Sequence, residues 1–120
     1  MPTPGTLLSA LRVAVGAGAW ATPNLAGKAF GLDPDANPQA AYLARLFGVR
    51  DVALATFAQA TTGDARKLAW QLGIACDALD GVAAILGGRN GTLSTRTAVL
   101  AGGTGFIAAG LGVAALVGGE

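Results

Sequence analysis

Histidine is absent from the 120 residues, and cysteine occurs once, at Cys76. Those two absences exclude Ser-His and Cys-His nucleophile pairs, the usual zinc sites and any intrachain disulfide. Charge is scarce too: Asp, Glu, Lys and Arg make up 12% of the chain, against roughly 25% in soluble domains. The formal net charge is only +1, Tyr42 is the single tyrosine, and no basic run is interleaved with aromatics. Nothing here fits a nucleic acid or an anionic lipid surface. No residue set calls for a cofactor or a metal.

What is present is apolar and small. Hydrophobic residues reach 52% and mean hydropathy is +0.54, with 19 glycines. In water a glycine inside a helix costs about 1 kcal/mol relative to alanine. In lipid it lets helix backbones approach closely and is enriched for that reason. With so few charges to wet the outer faces of helices, the expected fold is all-α: a polytopic integral membrane four-helix bundle, one domain over residues 1–120.

The spans follow from segments of about 20 apolar residues. They run over about 5–22, 40–60, 68–86 and 97–117. The fourth contains no charge. Two prolines within Asp33-Pro34-Asp35-Ala36-Asn37-Pro38, the polar Thr61-Thr62-Gly63-Asp64 and the Gly-rich Gly87-Gly88-Arg89-Asn90-Gly91 mark the connections. Leu25 to Leu32 reads as a short interfacial turn or helix. Ser94 or Thr95 caps the last helix. Ala19-Trp20-Ala21 has the shape of a cleavage site, but no basic residue precedes Leu7 and Arg12 interrupts the apolar run. The segment therefore reads as a retained helix. Trp20, Tyr42 and Trp70 fall where membrane interfaces are expected. Lys28, Arg89 and Arg96 on one face against Arg66 and Lys67 on the other leave orientation open.

Six ionisable residues fall inside these spans. Arg12 is in the first, Arg45, Arg50 and Asp51 in the second, and Asp77 and Asp80 in the third. Each costs about 2.5–3.5 kcal/mol at a helix centre, so pairing is expected. Depth pairs Arg45 with Asp80 and Arg12 or Arg50 with Asp77, leaving Asp51 to the remaining arginine, in a balanced set of three bases and three acids. Helical spacing puts Ser9, Arg12, Gly16 and Ala19 on one face, and Gly73, Asp77, Asp80, Gly81 and Ala84 on another. Ala101-Gly105-Ala109 is a small-residue packing seam. The cluster fixes helix register or lines a polar cavity that binds a head group or relays protons.

Asp77-Ala-Leu-Asp80-Gly81-Val-Ala-Ala84 resembles the opening half of the CDP-alcohol phosphotransferase signature, D-x-x-D-G-x-x-A-R. Ile85 stands where that signature has arginine, and no aspartate follows Asp80 to supply its second half. The resemblance therefore implies no dication site here. Gly102-Gly103-Thr104-Gly105 lacks the Lys-Ser/Thr of a phosphate loop and reads as helix packing. Tyr42-Leu-Ala-Arg45-Leu-Phe-Gly48-Val-Arg50-Asp51-Val-Ala-Leu54, with Asp77 and Asp80 beyond it, resembles small four-helix bacterial integral membrane proteins that carry a domain of unknown function. A looser likeness, in topology only, is to DoxX-type membrane proteins. The first resemblance implies a multi-pass protein of the bacterial inner membrane whose Arg50, Asp51 and third-helix aspartate belong together, and it implies no activity.

Two functions follow as expectations. One is an accessory or scaffolding subunit of a membrane complex, with a membrane-protein partner or a second copy of the chain. The other is a binding or carrier protein for a lipid, quinone or similar amphiphile, held by Arg12, Arg45, Arg50, Asp51, Asp77 and Asp80. An enzymatic role, with Asp77 or Asp80 as general acid or base, ranks last.

Overall fold

The computed structural model describes all of residues 1–120 and contains five helices: α1 (Pro4–Ala21), α2 (Pro23–Ala29), α3 (Ala40–Ala60), α4 (Gly63–Arg89) and α5 (Thr95–Val117). Local chemistry sets their ends. Thr3 accepts the Thr6 backbone N–H at the start of α1, with Pro4 in the first turn, where its missing donor costs nothing. Ser94 accepts from Thr97 N–H at the start of α5. Between α3 and α4 the reversal is tight, and Gly63 takes φ +62°, a left-handed conformation that glycine adopts without strain. Arg66 closes that corner by donating to the Ala58 carbonyl at 2.8 Å, one of the orphan acceptors at the end of α3.

The expectation of a polytopic four-helix membrane bundle is overturned. There are five helices, because Pro23 both ends α1 and opens α2. Only α4 and α5 are long and apolar enough to cross a membrane. At about 1.5 Å per residue their 27 and 23 residues reach roughly 40 and 35 Å. The other two long helices fall short for plain reasons. α1 has 18 residues, opens on a proline and carries Arg12, whereas α3 places Arg45, Arg50 and Asp51 within 21 residues.

α1 lies along α3 and α4 along α5; the two pairs meet through α3–α4 and α1–α5, and α2 rests on α1 and α3. The first pair is brought together by Gly16 and Gly48: a Cβ on Gly48 would stand 2.4 Å from the Gly16 carbonyl oxygen. In the second pair a Cβ on Gly105 would stand 2.8 Å from the Asp77 carbonyl oxygen. Buried residues of α5 recur as Gly102, Gly105, Ala109, Gly112 and Ala115, the 3–4 spacing of one helix face.

Large apolar side chains point outward. Of the fully buried hydrophobic residues only Leu8 and Trp70 are larger than alanine, while Leu72, Leu79, Leu86, Val99, Phe106, Ile107 and Val117 are exposed. Trp70 corrects the expectation of an interfacial aromatic: it is 4% exposed and packs beside Gly5. Its indole N–H donates to the Glu120 carbonyl at 3.0 Å, and the Glu120 carboxylate accepts the Gly5 backbone N–H at 3.1 Å. An anion at the first turn of α1 is where the helix dipole favours it. Trp20 and Tyr42 are exposed.

Candidate functional site

Five of the six charged residues singled out by the sequence meet in one cluster. No Cα of α1 comes within 8 Å of one in α4, and Arg12 spans that gap. Its guanidinium forks onto Asp77, Nη1 to Oδ1 at 3.1 Å and Nη2 to Oδ2 at 2.5 Å, with both residues buried. Nη1 also reaches Asp51 Oδ1 on α3 at 3.4 Å. Gly73 makes room, since a Cβ there would lie 2.8 Å from Arg12 Nη2.

The second fork joins α3 to α4. Arg50 donates to both oxygens of Asp80, with Nη1 to Oδ1 at 3.0 Å, and its Nη2 stands 3.9 Å from Asp51 Oδ1. Its guanidinium carbon lies 4.9 Å from the centre of the Phe47 ring, a cation–π arrangement. Such planar two-point contacts suit arginine better than lysine.

Arg45 is the exception and corrects the pairing expected from depth. It is exposed, and its Nε donates to the Trp20 carbonyl at 3.1 Å, at the end of α1. Five residues from Arg50 means roughly 140° around the helix, so the two cannot share a face. Asp80 therefore pairs with Arg50, and the cluster is not balanced. Two guanidiniums face three carboxylates, a formal charge of −1.

Asp51 carries that excess. Its side chain is 7% exposed, it has only the longer contacts to nitrogens already engaged by Asp77 and Asp80, and no hydrogen bond reaches Oδ2. Burial pushes the Asp51 carboxyl up to about 6, against the opposing pull of Arg12 and Arg50.

The cluster forms part of the wall of a cleft of about 570 Å³. Of its 25 lining residues 17 are hydrophobic, and they come from all five helices and the loops after α2 and α4. Leu11, Val15, Leu43, Phe47, Ile107 and Leu111 line its length, Phe30, Leu32 and Leu93 one end, and Arg12, Asp51, Asp77 and Asp80 the polar wall. Arg50 is outside the lining. The cleft opens where no Cα of α3 comes within 8 Å of one in α5. A shallower groove of about 830 Å³ runs along the outside of α1 and α3, lined by Thr6, Ser9, Ala10, Val13, Ala14, Ala55, Thr56, Gln59 and Ala60, without an ionisable group.

Gln59 and Glu120 are polar contributors that sequence reasoning missed. Gln59 donates to the buried Ser9 hydroxyl at 2.9 Å and so ties α3 to α1. Its signal was available: Gln59 lies eight residues after Asp51, two helical turns along the same face. No family model, curated protein or solved structure matches the chain, so its chemistry is read from this geometry.

Proposed function

We propose that the protein binds an amphiphilic small molecule in the cleft, with the polar head on the charged wall and the apolar body along Leu43, Phe47 and Leu111. The observation that carries this reading is an apolar cleft about 570 Å³ in volume, with a buried ionic cluster in one wall. Small-molecule sites of roughly 300–1,000 Å³, mostly apolar with a few convergent polar groups, are the rule. We place the protein in a cell membrane, seated through α4 and α5, whose outward Leu72, Leu79, Leu86, Phe106 and Val113 suit a lipid environment.

The experiment uses the full chain in lipid nanodiscs and a neutral diazirine-bearing fatty alcohol. Photolabel should concentrate on Leu43, Phe47 and Leu111, and Ala101→Trp, which fills the cleft, should abolish that labelling while leaving label on the outer Val99 and Val113. Uniform labelling of outward residues, unchanged by Ala101→Trp, would overturn the reading. The outer groove along α1 and α3 favours a second function, an accessory subunit that takes a partner helix there. Under that reading a protein co-purifies in fixed stoichiometry and is lost on Ala14→Trp, which fills the groove.

A further inference from the structure

We propose that the molecule in the cleft carries a positive charge, an amine or quaternary ammonium head held against the Asp51 carboxylate. This deepens the amphiphile reading and rests on it. Three observations converge on the sign of the charge. Both guanidiniums of the cluster are already committed two-point, Arg12 to Asp77 and Arg50 to Asp80, and the one buried side-chain N–H left without a partner, Arg50 Nε, belongs to a residue outside the cleft lining. Asp51 is left over, almost wholly buried and with Oδ2 unpartnered. The cleft lining includes three aspartates and one arginine, because Arg50 is not part of it.

The chemistry narrows the occupant further. An anionic head would face Asp51, Asp77 and Asp80 together. A neutral head would leave the cluster one negative charge in excess, with Asp51 sharing guanidiniums already engaged by Asp77 and Asp80, which is costly in apolar surroundings. A metal ion needs several oxygen ligands, and here one carboxylate oxygen is free while the four in the forks are engaged. An organic cation asks for less: one carboxylate and apolar or aromatic walls. Phe30 lines the cleft, and an aromatic ring suits an alkylammonium, whereas Phe47 already carries the Arg50 guanidinium. The other groups around Asp51 are Arg12 from α1, Arg50 from its own helix, and Asp77 and Asp80 from α4. α2 and α5 contribute no titratable side chain to the lining.

The test compares two photoactivatable probes of the same shape on the full chain in zwitterionic nanodiscs. One ends in trimethylammonium and the other in the neutral tert-butyl group. We expect the cation to label the cleft at about tenfold lower concentration than its neutral twin. Asp51→Asn should bring the two to parity, and Asp51→Glu should keep the preference. In wild type the preference should fall between pH 8 and pH 5, as Asp51 takes up its proton, while neutral labelling stays constant; this arm needs no variant to fold. Equal labelling of the wild-type cleft by both probes would overturn the cationic assignment and leave the amphiphile reading intact. Labelling of the cleft by neither would overturn both.

Discussion

The α1–α3 pair and the α4–α5 pair are held together internally by the same device and differ in what they carry outward. Each is closed by glycine against backbone, Gly16 against Gly48 in one and Gly105 against the Asp77 carbonyl in the other. The cluster's cations, however, sit on α1 and α3, whereas α4 between Lys67 and Arg89 holds only Asp77 and Asp80 as charged residues and α5 from Thr97 onward holds no charge. The apolar stretches of the second pair thus contain two acids and no base. Arg12 and Arg50 supply the bases from the other pair. Charge therefore acts between the pairs and small-residue packing acts within them. Two forks hold the halves in register, and Asp51 is the charge they leave over.

The largest effect should come from breaking the fork that spans the molecule. Asp77→Asn leaves the buried Arg12 guanidinium with only its 3.4 Å contact to Asp51, and removing one partner of a buried pair costs about 3–5 kcal/mol. We expect a large fall in Tm in detergent, with much of it recovered in the double variant Arg12→Leu, Asp77→Leu, which removes both charges. Equal destabilisation in the single and double variants would show that the pair is not coupled.

Packing within the pairs comes next. A Cβ at Gly48 would meet a backbone oxygen, which cannot swing aside; overpacking of this kind costs roughly 1–3 kcal/mol, and Gly48→Ala should lower Tm accordingly. At Gly103 on the outer face of α5 a Cβ meets nothing, so Gly103→Ala should be neutral or stabilise by up to about 1 kcal/mol. Similar losses at both positions would sink the close-approach account of the α1–α3 crossing.

Asp51→Asn should separate the leftover charge from the two that are paired. Its carboxyl is pushed up to about 6 by burial, so the fold holds the proton more tightly than the unfolded chain does. The anion's cost is thus absent well below the ordinary carboxylate value, accrues as pH rises from there, and is fully present above about 6. Asp51→Asn should raise Tm at pH 8, by the equivalent of about 1–2 kcal/mol once partial hydration in the cleft is allowed for. That advantage should shrink as pH falls below about 6 and vanish well below the ordinary carboxylate value of 3.8, at pH ~2.5. A variant less stable than wild type at pH 8 would mean that Asp51 is a structural partner of the arginines.

How much of this was legible beforehand depends on the range of the interaction. Helix positions were, because caps and stops are local: Ser94 before α5, and the prolines between Asp33 and Pro38. The stretch expected as a short turn or helix over Leu25 to Leu32 begins two residues earlier and ends at Ala29, because the fixed φ of Pro23 suits the first turn of a helix. Membership of the cluster was legible for Arg12, Arg50, Asp51, Asp77 and Asp80, since buried charges must find one another. The pairing was not. Depth along a helix axis ranks residues by height and ignores azimuth, and azimuth decides whether a long side chain faces a neighbour. The cleft was out of reach for a similar reason: it lies where the backbones of α3 and α5 stay apart, which no single helix encodes.

The smallest expected effect tests that azimuth argument directly. Arg45 lies outside the cluster, exposed, with a single bond to the Trp20 carbonyl. That carbonyl is close to the end of α1, where acceptors lack intrahelical partners and water can replace a side-chain donor. Arg45→Ala should therefore change stability by no more than about 0.5 kcal/mol. Arg50→Ala strips Asp80 of its fork and Asp51 of a neighbour, and should cost several times more even though Asp80 is only half-buried. The two substitutions delete the same side chain from the same helix five residues apart, so helix propensity and lost charge largely cancel in the comparison. What remains is direction: one guanidinium faces the carboxylates of α4 and the other faces away. Equal losses would mean that height, rather than angle, decides which arginine serves Asp80.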